Sequence, residues 1–143
     1  MEDEKQIRIL PMSKKDEFPN KSIEEVQKEF FMGELIKNGG QYNYRKTGMD
    51  CSEGSIILFQ FDGAIIACAK LIGIDRISMI ENDIQYNGAY IFDKKSIQIF
   101  EPITAKEISA ISSEIKFLSQ VKQQINYKKL RDIQKLIKEK SHK

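Results

Sequence analysis

The segment Gln41-Tyr-Asn-Tyr-Arg-Lys46 sets two phenol rings beside two cations and two carboxamides. Rings of this kind stack on unpaired or flipped bases, worth about 1–3 kcal/mol per base, while neighbouring cations hold the phosphate chain. The carboxamides of Gln41 and Asn43 are able to read a base edge. That chemistry makes Tyr42 and Tyr44 stacking surfaces, Asn43 an edge reader, and Arg45 with Lys46 phosphate contacts. Tyr and Asn are also ordinary loop residues, so the segment alone leaves a bland reading open beside the functional one.

Other chemistries find less support. His142 is the only histidine and lies one residue from the end of the sequence. A frayed end holds no base for a Ser or Cys nucleophile, and zinc needs more His or Cys than are present. No metal site and no cofactor is expected. Cys51 and Cys68 are the only cysteines. Cys68, inside an apolar run, is read as a buried inert thiol, and Cys51 as a loop residue without a base to activate it. Neither GxxxxGK[ST] nor GxGxxG occurs, so no glycine-rich loop cradles a phosphate. Asp50, Glu53, Asp62, Asp75, Glu81 and Asp83 are scattered over loops and turns, where carboxylates are normally solvated.

The elements that must position these residues begin with Ser55–Leu71, two β-rich apolar runs joined by Asp62-Gly63, a strong hairpin signal. Alternation puts Ile56, Leu58 and Gln60 on one face and Ile57, Phe59 and Phe61 on the other. Both faces are mostly apolar, which predicts a strand packed on two sides. Upstream, Gln6–Leu10 alternates and ends at Pro11. Ser22-Ile-Glu-Glu25 is a capping box opening a helix with Ile23, Val26, Phe30 and Ile36 on its apolar face, stopped by Gly39-Gly40. Residues 41–53 read as a loop, and 72–83 as a connection holding an irregular strand. Tyr86–Phe92 and Ser96–Phe100 read as a second strand pair turning through Asp93-Lys94-Lys95. Thr104-Ala-Lys-Glu107 is a second capping box, with Ile108, Ile111, Ile115 and Leu118 on one face. Asn126 starts another helix, whose stripe is Leu130, Ile133 and Ile137.

The chain has 143 residues, 41% hydrophobic and 31% charged. That suits one domain with a single core and is too apolar for disorder. No apolar run reaches the roughly 20 residues of a membrane span. Met1 is followed by Glu2-Asp3-Glu4, unlike a basic signal-peptide start, so a cytoplasmic protein is expected. The net charge of +2 divides unevenly: nine basic against two acidic residues over 116–143 give +7 there and −5 elsewhere. A basic tail serves as a phosphate-binding arm or as a solvated lysine-rich helix face.

Residues 41–54, QYNYRKTGMDCSEG, followed by SIILFQFDGAIIACAKLIGI, resemble the centre of the PUA-like superfamily, most closely its EVE, ASCH and YTH-like branches. Tyr42-Asn43-Tyr44-Arg45 matches the aromatic/Arg-Asn loop, Gly54-Ser55 the turn, and Ile65–Ala69 the second strand. The segments YNGAYIF and SIQIFEPIT are similar in kind to the later strands. Ser55 stands where the turn usually carries Asp, and the chain has no Trp, so Tyr42, Tyr44 and Tyr86 would make a reduced aromatic cage. The resemblance implies an α+β fold: a small barrel of five or six mostly antiparallel strands with flanking helices, the barrel over about 5–103 and C-terminal helices over about 104–140. It also implies binding of RNA, or of modified bases in DNA or RNA, at the barrel mouth.

Together these readings predict a nucleic-acid-binding module in which Tyr42, Tyr44 and Tyr86 stack, Asn43 and Asn87 hydrogen-bond a base edge, and Arg45 and Lys46 hold phosphate. Two alternatives stand beside it. One is a protein-interaction module docking a partner or a second copy through the 121–137 stripe. The other is an ASCH-type hydrolase, for which Tyr44 or Lys46 would need a strongly perturbed pKa. No catalytic residue is assigned.

Overall fold

In the two-residue turn at Asp62-Gly63 both residues take positive φ, 50° and 80°, as a type I′ hairpin requires. The computed structural model describes residues 5–45, 51–118 and 123–141. Among these, the strands are β1 Ile7–Pro11, β2 Gln41–Tyr44, β3 Ile56–Phe61, β4 Ala64–Asp75, β5 Met79–Glu81, β6 Ile84–Tyr86, β7 Gly88–Phe92, β8 Gln98–Ile103 and β9 Gln123–Ile125. Helices occupy 23–37, Ala105–Ile111 and Leu130–Ser141.

Seven strands join in the order β2-β7-β4-β3-β1-β9, with β8 also paired to β4, while β5 and β6 form a hairpin of their own. All pairings are antiparallel except β1 with β3. The expected closed barrel is therefore corrected to an open, strand-rich α+β sheet whose outer strands are β2 and β9. One reason is that β9 takes the outer edge of β1 over Ile7–Ile9, so β1 and β2 do not pair.

Strand β4 shapes the sheet. Its first half pairs with β3 and β8, its second half with β7. Around Ile66 its register slips against both β3 and β8, the mark of a bulge that bends a strand. Gln27, from the first helix, fills the break: its Nε2 donates to the carbonyls of Ile66 at 2.9 Å and Phe100 at 2.6 Å.

Both faces of β3 are covered, as its two-sided apolar pattern predicts, and so are those of the adjoining half of β4. Ile57, Phe59 and Phe61 meet Val26, Phe31 and Leu35 of the first helix. Leu58, Ile65 and Cys68 meet Ile108, Ile133 and Ile137 on the opposite side. The stripe proposed for docking thus packs within the chain. Burial pushes the Cys68 thiol up to about 12, because an ion in an apolar core lacks hydration.

The first helix starts at the predicted capping box, with Ser22 Oγ accepting from the Glu25 N–H at 3.1 Å and Glu25 accepting from the Ser22 N–H at 3.0 Å. Over Val26–Glu34 it is π-helical. It ends at Gly39-Gly40, φ 71° and 84°. A Cβ at Gly40 would run into the carbonyl of Phe92, so glycine is needed there for approach as well as for φ.

Several local expectations change. Residues 41–44 form a strand rather than a loop, because β7 supplies a partner from Gly88 to Ile91. Strands β7 and β8 do not pair with each other; a 3-10 turn at Lys94–Ser96 sends them to different parts of β4. Asn82 and Asp83 both take positive φ, 52° and 64°, and turn the β5–β6 hairpin. The helix from Thr104 stops at Ile111, where the Ser112 backbone becomes extended, while Ile115 still reaches the core. Strand β9 had no alternating signal. Asn126 does cap, but it opens a 3-10 turn over Tyr127–Lys129 that leads into the last helix.

Gln27→Leu keeps side-chain bulk but leaves two buried carbonyls without their donor, and should lower stability by about 1–3 kcal/mol. A urea midpoint equal to that of the parent would show that the bulge needs no donor. Cys68 should resist an alkylating reagent at neutral pH until the chain is unfolded, measured by mass spectrometry with and without denaturant.

Candidate nucleic-acid interface

Where β1 and β2 fail to meet, a cleft of about 480 Å³ opens. Leu10 and Pro11 border it from β1, Gln41–Tyr44 from β2, Phe30 and Glu34 from the first helix, and Ile84 and Tyr86 from the β5–β6 hairpin. Residues 13–18 complete one side. Their turn is held by the Asp16 N–H donating to Ser13 Oγ at 2.9 Å and the Ser13 N–H donating to Glu17 Oε2 at 2.6 Å.

Of the sequence-predicted residues, Tyr42, Asn43, Tyr44, Arg45 and Tyr86 line this one cleft. Their roles differ. Tyr44 and Tyr86 are half-buried. The Tyr44 ring lies 4.7 Å from that of Tyr90, tilted by 35°, so Tyr90, itself fully buried, backs it. Gly88, directly across from Tyr44 in the β2–β7 register, leaves room for this ring. A Cβ there would meet the Tyr44 hydroxyl and the Asp75 carbonyl.

Tyr42 does not offer a free face. It is only 6% exposed, and its ring packs edge-on to Phe30 at 5.6 Å and tilted to Phe59 at 6.0 Å. What it presents is its hydroxyl, which donates to Glu17 Oε1 at 2.8 Å. Burial, and then the negative charge of Glu17, hold the Tyr42 phenol well above its ordinary pKa, because both disfavour a phenolate.

Asn43 is engaged at both ends of its amide: Oδ1 accepts from Gln41 Nε2 at 2.9 Å, and Nδ2 donates to Glu81 Oε2 at 3.3 Å. It sits at the rim as part of a polar chain that ties β2 to β5. Asn87 lies outside the cleft lining. Its Nδ2 donates to the Arg45 carbonyl at 2.5 Å and its N–H to the Tyr44 carbonyl at 2.8 Å, so it splints the chain next to Arg45. Arg45 is exposed at the rim. Lys46 falls outside the described residues.

Glu17, Phe18, Phe30 and Glu34 also line the cleft and carried no site signal in the sequence. Phe18 and Phe30 touch edge-to-face at 5.1 Å and form its apolar end. The Tyr42–Glu17 contact joins residues 25 apart in the chain, a distance at which no local pattern links them. Among the described residues no group of three or more His, Cys, Asp and Glu could hold a metal ion. No helix among them is long and apolar enough to cross a membrane.

The basic last helix packs on the face of β3 and β4 opposite the first helix and Tyr42. Its Lys140 pairs with Glu107 at 2.7 Å, which helps hold Glu107 below the usual carboxylate range. The basic surface and the cleft therefore lie on opposite sides of the sheet.

In sequence, no protein-family model and no curated protein matches the chain. In structure, it is similar to the ASCH protein from Zymomonas mobilis, with a TM-score of 0.54 and 12% identity over 91% of this chain and 94% of that one. The fold is thus ASCH-like; the likeness is one of fold.

Tyr42 sets a direction for alkaline stability. Its phenol ionises near pH 10 when unfolded and higher when folded, so rising pH strips the unfolded chain first. Its contribution is complete below about pH 10 and declines above it. Urea midpoints at pH 9 and pH 11 should show a smaller alkaline loss for Tyr42→Phe than for the parent; equal losses would refute the assignment. Gly88→Ala should cost about 1–3 kcal/mol through overpacking against Tyr44 and Asp75, read as a lowered midpoint in the same assay.

Proposed function

We propose that the chain is a nucleic-acid-binding module that takes one unstacked base into the cleft between β1 and β2. The observation that carries this reading is the cleft itself: an open slot beside Tyr44, walled by Tyr86 and Phe18, with Arg45 exposed at its rim. In this reading the base stacks on Tyr44 or Tyr86, the adjacent phosphate meets Arg45 and Lys46, and Asn43 contacts the base edge near the rim. Tyr42 acts through its hydroxyl rather than its ring, and Asn87 by holding the backbone of Arg45. An RNA strand, or a flipped or modified base in DNA, meets the same geometry. The ASCH-like fold agrees with the implication drawn from residues 41–73.

The interaction-module alternative receives less support, because Ile133 and Ile137 already pack against the sheet. The hydrolase alternative rests on Tyr44 or Lys46: Tyr44 lies in the cleft against the Tyr90 ring with no nucleophile–base pair beside it among the described lining residues, and Lys46 falls outside the described residues.

A fluorescent single-stranded oligonucleotide titrated at two salt concentrations tests the proposal. Tyr44→Ala should weaken binding by about 1–3 kcal/mol. Arg45→Ala should weaken it across sequences and reduce the slope of log K against log salt by about one. Affinity indifferent to salt and to both substitutions would remove the reading.

A further inference from the structure

Asp16, Glu17 and Glu34 line the same cleft as the tyrosines, and Arg45 is the only cation among its described lining residues. All three carboxylates are exposed along the cleft wall, so that side of the cleft repels a phosphate, and Arg45, at the rim, marks where one would stay. What enters must tolerate or use negative charge.

Glu17 is the carboxylate whose orientation is set. Oε1 accepts from the Tyr42 hydroxyl at 2.8 Å and Oε2 from the Ser13 N–H at 2.6 Å. A carboxylate has about four lone-pair sites, so each oxygen keeps capacity for an incoming donor. Being an acceptor only, it can take just one hydrogen bond from the edge of uracil, whose N3–H lies between the carbonyl oxygens O2 and O4 that repel it. Guanine presents N1–H and the N2 amino group side by side, two donors for one carboxylate. Hydrogen bonds to an ionised acceptor are about twice as strong as neutral ones. A ring carrying positive charge gains further, from the faces of Tyr44 and Tyr86 and from the surrounding carboxylates.

Resting on the base-binding reading above, we propose that the cleft selects a base turning N–H donors toward Glu17, and that a positively charged base, such as an N7-alkylated purine, binds tightest. Glu17 is then the specificity-determining residue, and Tyr42 with Ser13 positions it. Glu34, exposed on the first helix, adds charge without a structural bond that its removal would break.

Calorimetric titration of the full chain with uridine, guanosine and 7-methylguanosine 5′-monophosphates tests this. Guanosine should bind at least about tenfold tighter than uridine, and 7-methylguanosine several-fold tighter again. Glu17→Gln should abolish the preference for guanosine over uridine. Glu34→Gln should narrow the gap between 7-methylguanosine and guanosine while leaving the melting temperature unchanged. Equal affinity for uridine and guanosine, or the same ranking and ratios in both variants, would overturn the selection. If oligonucleotides still bind in a manner sensitive to Tyr44→Ala and Arg45→Ala, that result leaves the nucleic-acid reading in place. If neither nucleotides nor oligonucleotides bind, both fall.

Discussion

Strand β4 cannot run straight for twelve residues and still serve β3, β8 and β7, and the rest of the architecture follows from that constraint. A bulge at Ile66 breaks its register where the first half lies between β3 and β8, and a second irregularity between Leu71 and Gly73 falls where the strand passes to β7. A bulge leaves backbone groups out of the ladder, and a buried carbonyl without a donor is costly. Gln27 supplies the donor from outside the sheet, and in doing so fixes the first helix against the bend. Helix position, sheet curvature and the side chains that this helix sends to the cleft are thus one linked decision.

The bend also determines why there is a cleft. Strand β7, with β2 beyond it, pairs with the second half of β4, while β1 pairs with β3 and has its outer edge taken by β9. The chain then bridges the gap with side chains instead of hydrogen-bonded strands. Phe18, Phe30, Tyr44, Tyr86 and Tyr90 supply apolar walls, and the turn at 13–17 supplies carboxylates. Aromatic walls bordered by exposed carboxylates favour flat, donor-rich or cationic rings. The basic last helix, on the opposite face, does not offset that acidity.

Tyr42 and Tyr44 show how position within a strand divides two residues of the same type. They are two apart in β2, so both point to the same face of the sheet. Tyr42 lies over Phe59 and Phe30 and is absorbed by the core, leaving only its hydroxyl at the cleft. Tyr44 reaches past the core to Gly88 and keeps its ring half-exposed beside Tyr90. Asn43, on the other face, joins a polar chain from Gln41 to Glu81. One face of β2 supplies rings, and the other supplies tethering.

What could be read from the sequence are the features made by neighbours in the chain: the Asp62-Gly63 turn, the Ser22 and Thr104 capping boxes, the Gly39-Gly40 stop, and the two apolar faces of β3. Each is an interaction within a few residues, so its signature sits in one window. Tyr42, Tyr44 and Arg45 lie on one short segment, so their spacing keeps them near one another in any fold. Tertiary structure alone decided that 41–44 is a strand, that β7 and β8 part company, that β9 joins β1, and that the barrel stays open. It also decided that Glu17 meets Tyr42 and that Asn87 serves Arg45. These contacts join residues 25 and 42 positions apart. Their energy depends on which edges and faces remain unoccupied once the sheet has bent, a property of the assembled fold that no local run of residues encodes.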